Sequence, residues 1–225
     1  MQDTDTIPLP FETLDQSLQI EINKKAKELN FKKSETPFMS DETTKNIYLV
    51  QKGKIKTYQL NINNGREQTL YIYRENHIFD TTTLLDGEEH NVCYEVLEDT
   101  ELLVFPIDFI RELLHNSPEF SQKFYLYIAK QMRYLEETLT DISLYSTSER
   151  LVKLIVQDFQ PSNIFRFNIL KGLSNTESAK LLGTIRNVVE RHLKDLKNEK
   201  LIDITNRKIQ IIETNRLLDK IKLLS

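Results

Sequence analysis

The chain has 225 residues, a formal net charge of −4 and a hydrophobic content of 39%, which together suit one large or two small folded domains. Its single cysteine, Cys93, excludes an internal disulfide framework and any metal cluster held by several cysteines of one chain. Residues 1–10 are polar and unlike a secretory leader, and no apolar run approaches the length of a membrane span. We therefore expect a soluble, cytoplasmic protein with no membrane partner.

Short strands separated by turn residues are predicted in the first half of the chain, in residues 46–50, 55–60 and 68–73. Asn64-Gly65 between two alternating runs indicates a hairpin, and Gly53 and Gly65 suit backbone angles that other residues resist. Strands at this spacing predict an antiparallel β-roll over residues 1–116, whose interior either holds a ligand or is filled by side chains. We expect Cys93, within the half-apolar strand VCYEVL, to be a packing thiol.

A long amphipathic helix is predicted after the roll, beginning near Pro118. Its apolar seam is formed by residues spaced four, seven, four and three apart: Phe124, Ile128, Leu135, Leu139 and Ile142. One interpretation is a helix that packs on its own roll. Charged residues flank the seam, as they do where two such helices meet in water. We favour a parallel homodimer, because a helix-turn-helix, which is predicted further along the chain, usually reads paired half-sites about 34 Å apart. Residues 117–146 would then be the dimerisation helix and hinge, with the hinge near residues 144–148.

Two short helices around a glycine turn are predicted in residues 173–202. Ser174 and Glu177 have the spacing of a capping box at the start of the first helix. Gly183 ends that helix, and Thr184 can cap the second. The second helix has an apolar side made of Val188, Val189, Leu193 and Leu196. Its other faces carry Arg186, Asn187, Glu190, Arg191 and Lys194. This pattern is typical of a helix-turn-helix, whose second helix enters the major groove of DNA.

A β-hairpin is predicted next, because residues 201–204 and 208–212 are rich in β-branched side chains and flank Thr205-Asn206-Arg207. It would form the wing of a winged helix-turn-helix domain over residues 147–225. From Phe165 to the end there are 13 Lys and Arg against 7 Asp and Glu, whereas the residues before it have 17 against 27. Phosphate binding needs such local positive charge. The pattern favours DNA binding over two alternatives, a helical hairpin that packs on the rest of the chain and an adaptor whose winged helix binds protein.

With roll, long helix and winged helix in this order, the chain resembles the Crp/Fnr superfamily of bacterial transcription regulators over almost its full length. Residues 48–58 and 64–67 are similar to the early strands of the cyclic-nucleotide-binding roll, and Ser148-Glu149-Arg150-Leu151 to the start of the DNA-binding domain. Residues 182–196 match the family's reading-helix pattern without a gap. The resemblance implies an α+β fold and a homodimeric, sequence-specific transcription regulator that is not an enzyme. Its implied partners are palindromic double-stranded promoter DNA and, as a candidate, RNA polymerase.

This chain does not match the effector-binding residues of the family that it resembles. Members that bind cyclic AMP hold the ribose with a Gly-Glu pair and the cyclic phosphate with an Arg-Ser pair, where this chain has Asp80-Thr81 and His90-Asn91. A phosphate there would lack its arginine partner and would be repelled by Asp80. Members that hold an iron-sulfur cluster need several cysteines. We therefore expect neither cyclic AMP nor an iron-sulfur cluster as effector, and no other cofactor is predicted.

Two alternatives use the histidines of the roll. A single axial ligand, His77 or His90, could hold haem and make the protein a haem-based sensor. A metal-dependent enzyme built on the roll would need His77 and His90 with Glu88 or Glu89, although the chain has no H-x-H pair. We predict no metal ligands and no catalytic residues, and rank both alternatives below a DNA-binding regulator.

Candidate roles in DNA binding follow from side-chain chemistry. Arg186 and Arg191 can make bidentate hydrogen bonds to guanine or hold phosphate, and Glu190 can accept from the amino group of cytosine. The resembling family usually has glutamate in place of Asn187, and asparagine suits adenine, so the preferred site should differ at that base pair. The residues expected to contact backbone phosphates are Thr176, Lys180, Lys194, Arg207 and Lys208. Thr184, where the reading helix starts, completes the set.

Overall fold

The computed structural model describes residues 16–38, 40–205 and 208–221. The chain divides into two compact units, the first made of Met1–Gln59 and Leu70–Met132 and the second of Leu60–Thr69 and Arg133–Ser225. Among the described residues, no helix combines the length and apolar character needed to cross a bilayer.

The helices and strands alternate in the first half of the chain and become mainly helical in the second. The helices are α1 (Gln16–Lys25), α2 (Ser40–Thr43), α3 (Thr81–Asp86), α4 (Ile107–Asn116), α5 (Pro118–Leu144), α6 (Thr147–Asp158), α7 (Asn175–Leu181), α8 (Arg186–Asn198) and α9 (Thr214–Asp219). The strands are β1 (Lys27–Phe31), β2 (Asn46–Asn61), β3 (Arg66–Arg74), β4 (Ile78–Phe79), β5 (Cys93–Pro106), β6 (Ile202–Thr205) and β7 (Lys208–Ile211).

The long strands of the first half form one sheet in the order β1-β5-β2-β3, with β4 also paired to β2. The two runs predicted on either side of Gly53 are one strand, β2, whose pairing with β5 shifts register between Val50 and Ile55. Gly53 lies in this irregular stretch with φ of +93°, and a Cβ atom there would clash with Thr100 and the backbone of Asp99. A bulge that bends a long strand needs such a residue. The predicted hairpin at Gly65 is confirmed, with φ of +67° and a bond from Gly65 N to Asn61 O of 2.8 Å.

Aromatic side chains fill the interior of the roll that this sheet forms. The rings of Tyr48 and Phe79 stack with centroids 5.0 Å apart, and Tyr73 and Tyr94 lie against Phe79 at 5.3 and 5.9 Å. Strand alternation places Tyr94 inside, so Cys93 points outward and is exposed. The expectation that Cys93 is a packing thiol was therefore wrong.

The predicted long helix is confirmed as α5, and its first half is fixed to the roll within the first unit. Tyr127 Oη donates to the carbonyl of Ile78 at 2.6 Å and accepts from its amide at 3.1 Å. Phe124 is fully buried beside Phe120, with ring centroids 6.1 Å apart. Another face of the same helix points away from this packing.

The second unit joins the end of α5 to α6 through a buried acid. The carboxylate of Asp141, with a side chain 5% exposed, pairs with Lys153 and with Arg166 Nη2 at 3.1 Å. Arg166 also donates to Thr138 Oγ1 at 3.1 Å, and its guanidinium lies over the ring of Tyr134. We call Asp141, Lys153 and Arg166 the Asp141 cluster. Because it connects α5, α6 and the loop before α7, it holds the helix-turn-helix to the last turns of α5.

The start of α6 is capped by side chains. Ser146 Oγ accepts from the amide of Glu149, and the Glu149 carboxylate accepts from the amide of Ser146. Hydrogen bonds from Ser146 lower the pKa of Glu149 below its usual value. This capping box is therefore intact at neutral pH, and its contribution to stability is lost as the pH falls through the folded-state pKa of Glu149.

Replacing Ser146 by alanine removes the hydroxyl from this box. We expect the free energy of unfolding at pH 7 to fall by about 1 kcal/mol, the usual loss for such a cap. Urea denaturation followed by circular dichroism measures it. Ser143→Ala, an exposed position on α5, is the control and should change stability by less than about 0.5 kcal/mol. Equal stability of the two variants would contradict the role assigned to the cap.

Candidate nucleic-acid interface

The predicted pair of helices is present as α7 and α8. Ser174 caps α7 as expected, its hydroxyl accepting from the amide of Glu177 at 3.1 Å. Gly183 lies in the connecting turn with φ of +66°. The first residue of α8 is Arg186, so the N-cap is Ile185, which offers no side-chain acceptor. Thr184 therefore does not cap the helix. It lies in the turn, where its amide donates to Ala179 O at 2.9 Å.

The two sides of α8 differ in burial as its sequence predicts. Val189, Leu193 and Leu196 are buried. Arg186, Asn187, Arg191 and Lys194 are among its exposed side chains. A helix held by its apolar side, with polar side chains open to solvent from its first turn, has the geometry that enters a major groove.

Arg186 and Glu190 form an ion pair along the exposed side of α8. Arg186 Nε donates to Glu190 Oε1 at 2.6 Å, and Asn175 Nδ2 of α7 donates to the same oxygen at 3.4 Å. These bonds, first that from Arg186, lower the pKa of Glu190, so its carboxylate is ionised at neutral pH. An ionised carboxylate accepts hydrogen bonds and donates none, which suits the amino group of cytosine.

The candidate phosphate contacts differ in how free they are. Thr176 and Lys208 are exposed, Lys208 at the start of β7. Lys180 is half-buried and pairs with Glu177 at 3.0 Å and with Glu67 at 2.8 Å, both within the second unit. A phosphate would have to compete with two carboxylates for it. Arg207 lies outside the described residues.

The predicted wing is present as two strands, β6 and β7, which flank the undescribed residues 206 and 207. Strands β6 and β7 pair antiparallel, with Ile202 opposite Ile211 and Thr205 opposite Lys208. Lys197 at the end of α8 pairs with Asp203 of β6 at 2.9 Å. This ion pair links the wing to the end of α8.

The four residues named for an effector pocket do not converge on one point. Asp80 and His90 meet, with Oδ1 and Nδ1 3.1 Å apart, and Tyr94 Oη donates to the same oxygen of Asp80. The side chain of Thr81 instead donates to Gln131 Oε1 of α5 at 2.7 Å. Asn91 is exposed. Asp80 is thus a buried carboxylate with two side-chain partners, His90 and Tyr94.

The histidines weighed for haem or metal lie in different surroundings. His77 is fully buried, with its ring 6.5 Å from those of both Tyr73 and Tyr127. His90 is bonded to Asp80. Over the described part of the chain, no group of three or more His, Cys, Asp or Glu side chains is close enough to hold a metal ion.

The outward face of α5 includes residues that the sequence pattern missed. Phe124 is buried in its own unit, whereas Ile128, Leu135, Leu139 and Ile142 lie on the outer face with Tyr125 and Met132. The outer residues, which we call the α5 seam, are Tyr125, Ile128, Met132, Leu135, Leu139 and Ile142. Their alternating spacing of three and four is the heptad signal that could have identified Tyr125 and Met132.

Comparisons with known proteins agree with this geometry. Residues 28–117 match the model of the cyclic nucleotide-binding domain, and residues 149–220 match the Crp-like helix-turn-helix domain. The chain is 26% identical over 186 residues to the global nitrogen regulator of Synechococcus elongatus, covering 80% of this chain and 83% of the relative. It is 26% identical over 216 residues to the probable transcriptional regulator flp of Lacticaseibacillus casei, covering 96% of each.

Among solved structures, FixK2 from Bradyrhizobium japonicum superposes with a TM-score of 0.77 at 19% identity, covering 89% of this chain and 99% of that one. This likeness confirms the α+β fold predicted from the sequence, with an N-terminal roll, a long helix and a C-terminal helix-turn-helix.

Proposed function

Because the chain belongs to the Crp/Fnr superfamily of bacterial transcription regulators, we propose that it works as a homodimer that reads a palindromic promoter site with two copies of α8. It is a DNA-binding regulator and not an enzyme, as its relatives are regulators by name. The observation that carries the proposal is the exposure of Arg186, Asn187 and Arg191 on a helix whose opposite side is buried. Acting on promoter DNA places the protein in the cytoplasm, with RNA polymerase as a candidate partner.

The α5 seam is the proposed dimer interface. Leu139 is 68% exposed and Met132 59%, and side chains of this size in a heptad row gain stability when a second copy covers them. A twofold axis along α5 would present two reading helices to half-sites one helical turn, about 34 Å, apart. In this proposal residues 1–116 are the sensor roll, 117–146 the dimerisation helix and hinge, and 147–225 the DNA-binding domain.

In this proposal the DNA-facing side chains of α7, α8 and the wing divide into those that contact bases and those that contact phosphates. Arg186, Asn187, Glu190 and Arg191 face base edges, while Thr176, Lys194 and Lys208 hold phosphates. Lys180 contributes only where phosphate displaces its carboxylate partners, and Arg207 stays a candidate from the sequence alone. Thr184, in the turn before α8, is proposed to contact the phosphate backbone of the DNA.

Selection of bound sequences from random duplex DNA tests the whole proposal. We expect a palindromic consensus with two half-sites, because two identical reading helices bind it. A single asymmetric half-site would contradict the dimer. Binding that depends steeply on salt but not on sequence would contradict base reading.

Replacing Arg186 by alanine should separate base reading from phosphate binding. We expect a loss of about 1 to 3 kcal/mol at one base pair of the selected site and little change on variants of that pair, since a bidentate contact to guanine is lost. Fluorescence anisotropy titrations over all four base pairs at each position measure it. An equal loss on every sequence would show that Arg186 holds phosphate.

Replacing Asn187 by glutamate should change sequence preference more than affinity. Asparagine pairs with the edge of adenine and glutamate accepts from cytosine, so we expect preference at one base pair to move from adenine to cytosine. Selection from random DNA with each protein compares the two. Asn198→Glu, at the far end of α8, is the matched control and should keep the original consensus.

Cyclic AMP is not expected to be the effector. The buried carboxylate of Asp80, bonded to His90 and Tyr94, would face the cyclic phosphate. Two like charges at hydrogen-bond distance repel strongly where water is excluded. Calorimetric titration with cyclic AMP should show no binding, and a saturable one-to-one isotherm would refute this.

A haem-based sensor is the second candidate, resting on the fully buried His77. Absorption spectra of protein reconstituted with haem test it.

A further inference from the structure

A cavity of about 560 Å³ lies within the second unit, between α8, the start of α7 and the wing. Its floor is apolar and almost fully buried, formed by Leu173, Val189 and Leu193. Ile204 and Ile209 of the wing also line the cavity, together with polar residues at the start of α7 such as Asn175 and Thr176. The volume falls within the roughly 300–1,000 Å³ typical of small-molecule sites. Arg186 and Glu190, two of the proposed base-reading side chains, border this space.

The mouth of the cavity is positively charged. Arg186, Lys194 and Lys197 border it, with Glu190 as the carboxylate among them. Arg186 is paired with Glu190 and Lys197 with Asp203. Lys194 makes no ion pair with any residue that the structure describes. A cation without a counter-ion therefore stands beside an apolar space.

We propose that this cavity binds a linear aliphatic carboxylic acid, with its hydrocarbon chain on the apolar floor and its carboxylate on Lys194. The apolar floor excludes a ligand that is charged along its length, because each buried charge would need a partner. Charge complementarity at the mouth selects an anionic head, since an amine would be repelled and an alcohol would leave Lys194 unpaired.

Titration calorimetry of the full-length protein with dodecanoate, below its micelle-forming concentration, tests the site. We expect one saturable site per chain. Affinity should rise by about fourfold per methylene from octanoate to dodecanoate, as expected for burial of each CH₂ group. No dependence on chain length, or binding only at micelle-forming concentrations, would overturn the proposal.

Two variants locate the ligand. Lys194→Met keeps an apolar stem but removes the charge, and it should weaken dodecanoate about tenfold while leaving dodecanol binding unchanged. Ile209→Phe fills the cavity from the half-buried wing and should abolish dodecanoate binding. Ile212→Phe, exposed and outside the lining, is its matched control, and circular dichroism checks that both fold. Equal dodecanoate binding by the two phenylalanine variants would overturn the proposal.

The consequence for DNA rests on the proposed function, because Lys194 is also a proposed phosphate contact. Dodecanoate should weaken binding of the wild-type protein to its selected site and should not affect Ile209→Phe. Since ligand binding is measured without DNA, a missing site and a missing DNA activity are distinguished. Unchanged DNA affinity with a fully occupied cavity would overturn the competition with phosphate.

Discussion

Replacing Leu135 and Leu139 together by glutamate should convert the proposed homodimer to a monomer. Both side chains lie in the α5 seam, where a symmetric partner would bring four carboxylates together in a desolvated interface. DNA affinity should then fall by about 10² to 10⁴, because the second half-site is no longer bound intramolecularly. Sedimentation analysis measures the mass, and fluorescence anisotropy measures affinity for the palindromic site.

Thr140→Glu is the matched control for this variant. Thr140 is exposed on the same helix but outside the α5 seam, so its replacement should leave mass and DNA affinity unchanged. A wild-type protein that is monomeric at micromolar concentration would contradict the seam. So would a double variant that stays dimeric.

Replacing Asp141 by alanine should destabilise the second unit by about 3 to 5 kcal/mol. The substitution leaves Arg166, whose side chain is 7% exposed, without its carboxylate, and the cost of a buried unpaired charge exceeds the worth of the pair. Lys153 loses the same partner but is better hydrated. Urea denaturation measures the loss, with separate probes for each unit.

The control for Asp141→Ala is Glu137→Ala, one turn earlier and exposed on the same helix, which should change stability by less than about 0.5 kcal/mol. Asp141→Asn keeps the shape and removes the charge, so its loss should lie between the two. A loss below about 1 kcal/mol for Asp141→Ala would show that the Asp141 cluster is effectively solvated.

Local signals predicted the elements of the fold well. The turn at Gly65, the cap at Ser174 and the buried side of α8 all depend on residues within a few positions of each other. Backbone conformation and helical periodicity act over that range, so the sequence carries them directly. The sequence pattern predicts a strand break at Gly53 where the structure has a bulge, because a glycine in an irregular strand and a glycine in a turn have the same local pattern.

Contacts between distant residues could not be predicted in the same way. Phe124 fits the helical spacing of the α5 seam, yet the ring of Phe120 and the roll bury it, which leaves Tyr125 on the outer face. The Asp141 cluster joins residues 12 and 25 positions apart, and no motif marks them. The ion pair of Lys180 with Glu67 joins residues 113 positions apart, as does the neighbouring hydrogen bond from Gln68 to Leu181, and no local pattern marks either contact.

Under the proposed function, the ion pair between Arg186 and Glu190 has a consequence for how the protein searches a genome. On an unmatched sequence the Glu190 carboxylate finds no amino group to accept from and faces a polyanion, which shortens each encounter. On a matched sequence the arginine is already held by Glu190, so less rotamer freedom is lost when it docks. The pair should thus speed release from wrong sites while adding to residence at the right one.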